Sequence, residues 1–119
     1  MYDPDAPSGS GFWHWVVVDI PASVTELLAR AGDDTGQHMP AGAFQLPNDV
    51  RAGSLLGAAP PPGDGRHRYV IVVQTVDVEQ VGQLGVTADS TRLSLASAST
   101  SAATCSAVRS SSWAEIPAA

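Results

Sequence analysis

The stretch that decides the fold is Asp3-Pro4-Asp5-Ala6-Pro7 with the run it feeds, Phe12-Trp13-His14-Trp15-Val16-Val17-Val18-Asp19-Ile20. Two prolines four residues apart or fewer fix φ and remove amide donors, so the first segment reads as a stiff loop. The second is aromatic and β-branched with no breaker before Pro21, which predicts a strand over Phe12 to Ile20. Alternation places Phe12, His14, Val16 and Val18 on one face and Trp13, Trp15 and Val17 on the other. Both faces are apolar, so the expectation is a central strand of a packed sheet.

A second unit repeats the arrangement. Gly57-Ala58-Ala59-Pro60-Pro61-Pro62-Gly63 runs through Gly65-Arg66-His67-Arg68 into Tyr69 to Val76, the clearest strand in the sequence. That strand is almost continuously apolar, which predicts burial on both faces. His67 and Tyr69, two apart, share a side, and Arg68 faces the other way as a structural or surface charge. Between the units, Ser23-Val24-Thr25-Glu26 has the spacing of a capping box. It suits one or two helical turns through Ala29 or, equally, a structured loop. Asp33 to Ala43 reads as a polar loop with an exposed His38, Phe44 to Leu46 as a short strand, and Pro47 to Ser54 as a loop containing Asn48-Asp49. Short strands between long loops, with little amphipathic helix, point to an all-β sandwich or β-rich fold.

Composition narrows the function. At 119 residues there is room for one domain. The formal net charge is −6 and every basic residue is an arginine, which argues against nucleic-acid binding, since that needs a cationic face. Arg66-His67-Arg68 is one local cationic spot. Cys105 stands alone, so no internal disulfide forms, and a reducing, cytoplasmic setting is expected. No signal-peptide pattern or membrane-length apolar run is present. Thr91 to Ser112 is rich in Ser, Ala and Thr and shows no sustained period. Disorder is the expectation there, because such a segment buries too little apolar surface to offset its ordering entropy. Residues 1–90 therefore read as the domain and 91–119 as a low-complexity tail.

Each unit joins a rigid loop to a strand that begins near a histidine, so both could converge on one small polar pocket. A protonated imidazole donates to phosphate oxygens, and a carboxylate accepts from a phosphate hydroxyl or orients the imidazole. Small residues at 57 to 59 let backbone approach a ligand closely. Taken singly, each unit has a plainer explanation: Asp3 and Asp5 cap a loop, His14 is a satisfied core histidine, and a Pro-rich turn precedes an ordinary strand. No nucleophile elbow, phosphate loop or dinucleotide fingerprint occurs. A metal held by Asp3, His14 and His67 would have three ligands and no supporting motif, so no metal and no cofactor are expected.

Together, DPDAP with its Trp-His-Trp strand and GAAPPPGDGRHRY resemble the paired signatures of the phosphatidylethanolamine-binding protein family, in its bacterial Raf kinase inhibitor-like branch. The resemblance covers Met1 to Asp89. It implies a β-sandwich, here incomplete, with a pocket for phosphate-type anions or phospholipid head groups. Carried over by motif position, that pocket would use Asp3, Pro7, His14, Gly57, Pro61, His67 and Tyr69, with Ala6-Pro7 cis. The implied function is non-enzymatic binding. The alternatives are a protein-interaction regulator with a kinase-like partner, a hydrolase built on a His/Asp pair, and a non-functional fragment. The family carries several strands before DPDAP and an aromatic strand and helix after the second unit. Their absence leads to two expectations: truncation before Met1, and a change of reading frame near Thr91 or Arg92.

Overall fold

The computed structural model describes residues 1–75, 80 and 81. Their regular elements are four short strands, β1 (Tyr2–Asp3), β2 (Phe12–Trp13), β3 (Val16–Val18) and β4 (Phe44–Leu46). They form two antiparallel pairs, β1 with β2 and β3 with β4. The register sets Tyr2 opposite Trp13 and Asp3 opposite Phe12, and then Val16 opposite Leu46, Val17 opposite Gln45 and Val18 opposite Phe44.

The pairing of β3 with β4 follows from the pleat. Side chains alternate faces, so Val16, Val18 and Leu46 converge on one side, are buried, and have Trp13 packed against them. On the other side Gln45 accepts from the Trp15 indole N–H at 2.5 Å and donates to the Asp33 carbonyl at 2.9 Å. The strand expected at Phe44 to Leu46 is therefore present, and Val16 and Val18 share the buried side as alternation requires, whereas Trp13, expected on the opposite face, packs against them because the strand is interrupted at His14-Trp15.

The single central strand over Phe12 to Ile20 is not. It breaks at His14-Trp15, where both amides donate to the Met1 carbonyl, at 3.0 and 3.2 Å. Two residues facing one partner is the signature of a bulge, which ends one ladder and lets the chain start another. At the far end Asp19 takes a positive φ of 58°, so the strand stops before Pro21.

The run from Tyr69 is a larger correction. Among the described residues of this run only Val70 bridges to the sheets, opposite Tyr2, and Ile71, Val72 and Val73 are exposed. Burial on both faces needs a neighbour on each side and a layer above and below. Among the described residues Tyr2 is the strand partner that reaches this run. Val76 lies outside the described residues, as does the tail 91–119.

The segment at Ser23 to Ala29 is loop, held by turns such as Val24 N–H to the Pro21 carbonyl at 2.9 Å. The spacing for a reciprocal cap is there, but the few residues before Gly32 cannot repay helix nucleation. His38, expected exposed, is half-buried. Ala6-Pro7 is trans rather than cis. The turn around it closes without the rarer isomer: the Ser8 amide donates to the Ala6 carbonyl at 2.8 Å, and the Asp5 amide to Asp3 Oδ1 at 2.9 Å.

Candidate functional site

Two hydrogen bonds build the site. The Tyr2 amide donates to the Val70 carbonyl at 2.8 Å, and the Val70 amide to the Tyr2 carbonyl at 2.7 Å. This bridge lays the segment 67–70 beside β1, so Asp3 meets His67. His67 Nδ1 lies 2.7 Å from Asp3 Oδ2, with side chains only 2% and 4% exposed. A carboxylate accepts, so the proton is assigned to Nδ1.

His14 arrives from the other side. Its backbone carbonyl accepts from the Leu56 amide at 3.1 Å, and its Nδ1 donates to the Leu56 carbonyl at 3.0 Å. The remaining nitrogen, Nε2, stands 4.0 Å from Asp3 Oδ2. Both imidazoles thus use Nδ1 on the protein and have Nε2 left over. The Tyr69 ring meets His14 edge-on, with centroids 5.3 Å apart. Its hydroxyl is buried and, among the described residues, has no hydrogen-bond partner. Burial pushes the Tyr69 phenol up, and the nearby Asp3 charge adds to the effect.

The loops that hold these groups are tied down in detail. Gly11 closes the first with φ of 74°, and a Cβ there would strike the Tyr2 side chain and lie 2.7 Å from the Asp3 carbonyl oxygen. The Tyr2 hydroxyl donates to the Ser10 carbonyl at 2.6 Å, and the Ser8 hydroxyl to that of Gly11. Arg68 is indeed a surface charge: its guanidinium clamps Asp5 from Nε at 2.8 Å and from a terminal nitrogen at 2.6 Å.

Asp3, His14, His67 and Tyr69 are therefore brought together. Pro7, Gly57 and Pro61 are exposed on the loops that lead to them, with Gly57 directly after the Leu56 that holds His14. Sequence reasoning missed Asn48 and Asp49. Buried Asn48 accepts on Oδ1 from Val50 and Ala52 amides at 3.1 and 3.0 Å and donates to the Ser54 carbonyl at 3.0 Å. Asp49 accepts from the Trp13 amide at 2.7 Å. The pair positions the turn that delivers Leu56 to His14. The Asn-Asp dipeptide after Pro47 carried the signal, since such side chains organise their own turns. Asp64 was also missed, with Oδ2 3.9 Å from His67 Nε2. A separate cleft of about 440 Å³ is lined by Trp15, Leu27, Leu28, Ala31 and Leu55 and holds none of these groups. Among the described residues no trio of His, Cys, Asp or Glu is placed to hold a metal.

A β-rich scaffold whose two loop–strand units set a buried carboxylate between two imidazoles defines the class. A family model described as phosphatidylethanolamine-binding protein matches residues 1–110. The chain belongs to that family. It is 48% identical over 81 residues to the UPF0098 protein YbcL of Escherichia coli (strain K12), covering 68% of this chain and 44% of that one. It is 45% identical over 80 residues to the UPF0098 protein YbhB of the same strain, covering 67% and 49%. The crystal structure of E. coli YbcL, described as a new member of the mammalian PEBP family, superposes with a TM-score of 0.56 at 42% identity, covering 71% of this chain and 56% of that one. The fold is thus PEBP-like, and the chain spans about half the length of the curated relatives it matches. The family match continues past Asp89, where the resemblance of the motifs ends. No helix among the described residues is long and apolar enough to cross a membrane.

Proposed function

We propose that the chain binds small phosphate-type anions, including phospholipid head groups, without catalysing a reaction. The observation that carries this reading is the convergence of the Tyr69 hydroxyl, unpartnered among the described residues, with His14 and His67 around the Asp3 carboxylate. A buried donor without a partner costs about 1–3 kcal/mol, so a group that accepts from it is favoured there. Each imidazole has its Nδ1 engaged, and Nε2 is the atom left to meet a ligand oxygen. Protonated, it donates to an anion; neutral, it accepts from a phosphate hydroxyl. Asp3 accepts from His67 Nδ1 and so fixes the orientation of the ring. The cluster has no Ser, Thr or Cys to serve as a nucleophile, which favours binding over covalent catalysis.

Titration of inorganic phosphate followed by NMR tests the proposal. Saturable shifts at His14, His67 and Tyr69 are expected, with affinity reduced at least about tenfold in His67→Ala, the scale for losing a hydrogen bond to a charged group. A parallel arm uses vesicles of phosphatidylcholine with and without phosphatidylethanolamine. Equal phosphate affinity in wild type and His67→Ala would overturn the reading.

A further inference from the structure

We propose that Asp64 is a charge filter for the anion site, making it accept a phosphodiester monoanion in preference to a phosphomonoester dianion. The inference rests on the anion-binding reading above and concerns which anion the site takes.

The geometry places a second carboxylate where a ligand must go. With His67 Nδ1 committed to Asp3 at 2.7 Å, Nε2 is the only edge of that imidazole available to a ligand. Asp64 Oδ2 stands 3.9 Å from that atom, beyond hydrogen-bond range but close enough to act on any charge beside it. The His67 side chain is 2% exposed and that of Asp64 is 36% exposed, so Asp64 is the carboxylate near this edge that also reaches solvent. Gly63 and Gly65 flank it with φ of 96° and 86°, and their Cβ positions meet open space.

The charge inventory favours few negative charges on the ligand. Asp3 and Asp64 both face the His67 ring, from opposite edges. The Arg68 guanidinium is clamped by Asp5. An anion entering beside His67 Nε2 therefore feels two carboxylates, and each unit of ligand charge adds repulsion from Asp64. A dianion feels it twice. A monoanion draws on the same donors at about half that penalty, and any positive group it carries gains from Asp64.

The experiment compares methyl phosphate with dimethyl phosphate at pH 8, where the monoester is a dianion because its second ionisation lies near pH 6. Binding to wild type, Asp64→Asn and Asp64→Glu is read by NMR titration. Wild type and Asp64→Glu are expected to prefer the diester. Asp64→Asn is expected to gain about two- to fivefold for the monoester, the scale of one partly exposed charge interaction, and clearly less for the diester. A gain that is equal for both probes, or no gain, overturns the filter while leaving anion binding intact. No binding of either probe by any of the proteins overturns both readings.

Discussion

Asp3 Oδ2 accepts from His67 Nδ1 at 2.7 Å across 64 residues of sequence, joining the first loop of the chain to the second in a buried contact. Asp3 Oδ1 meanwhile accepts from the Asp5 amide at 2.9 Å, so one side chain organises both the loop and the site. Replacing it strands two donors. Asp3→Ala is expected to lose about 1.5–3 kcal/mol of stability, the usual scale for hydrogen bonds to a charged partner. A urea melt measures this. Phosphate affinity is expected to fall as well, although a negative charge has been removed, because the His67 ring loses its orientation. Asp64→Asn should move affinity the other way. Opposite signs from two carboxylates on one imidazole would separate a positioning role from a repulsive one.

Tyr69 offers a test in which stability and binding diverge. Its hydroxyl is buried without a partner among the described residues, so Tyr69→Phe removes an unsatisfied group and is expected to leave stability unchanged or slightly raised. Phosphate affinity is expected to drop about three- to tenfold, the equivalent of one hydrogen bond. The pH profile has a definite sign. The folded state raises the Tyr69 pKa, mainly by burial, so its contribution is fully present below the ordinary tyrosine value near 10 and is lost as pH rises through the folded value. An alkaline melt series should show wild type losing stability that Tyr69→Phe retains.

Much of this was legible in the sequence, and the failures have physical causes. Phe44 to Leu46 was readable because its β-branched partner run obeys the two-residue period on a half-buried pair. Asp3, His14, His67 and Tyr69 could be named together because the two loop–strand units resemble paired family motifs, whereas each unit taken singly had a plainer explanation. That Asp3 would bridge the two histidines was not, since it depends on the Tyr2–Val70 pairing, a contact between distant segments. The break at His14-Trp15 was hidden for the same reason. Local propensity favours a continuous strand, and only the two amides converging on the Met1 carbonyl interrupt it. Asp64 was overlooked because its approach to His67 comes from a turn between glycines of positive φ rather than from any strand period.

The apolar run after Tyr69 shows what a period cannot report, namely whether neighbours are present. Ile71, Val72 and Val73 are 68%, 55% and 77% exposed, on consecutive residues and hence on both faces. A consecutive apolar edge of this kind favours pairing with a second copy of the chain. Concentration-dependent self-association is expected in size-exclusion chromatography with light scattering. Val73→Lys should weaken it, because a charge on an open edge disfavours strand pairing. Identical profiles for the two proteins would mean that this edge does not drive association.

The Asp5–Arg68 clamp gives a last test, in acid. Arg68 donates to Asp5 from its backbone amide as well as its guanidinium, at 2.8 Å, so the two loops are pinned on the outside as Asp3 and His67 pin them within. The side-chain hydrogen bonds from Arg68, then its backbone amide, hold the Asp5 carboxyl well below the usual carboxylate range. A lowered folded value means that the ionised form is favoured by folding. The contribution is therefore fully present above the ordinary Asp value of about 4 and is lost as pH falls below it toward the folded value. A double-mutant cycle of Asp5→Asn and Arg68→Gln, run by urea melts at pH 7 and again near pH 2, should show coupling that shrinks in acid. Both groups reach solvent, so the pH 7 coupling should also shrink in 1 M salt, where screening extends over only about 3 Å. Coupling unchanged by acid and by salt would mean that the pair is held by packing rather than by charge.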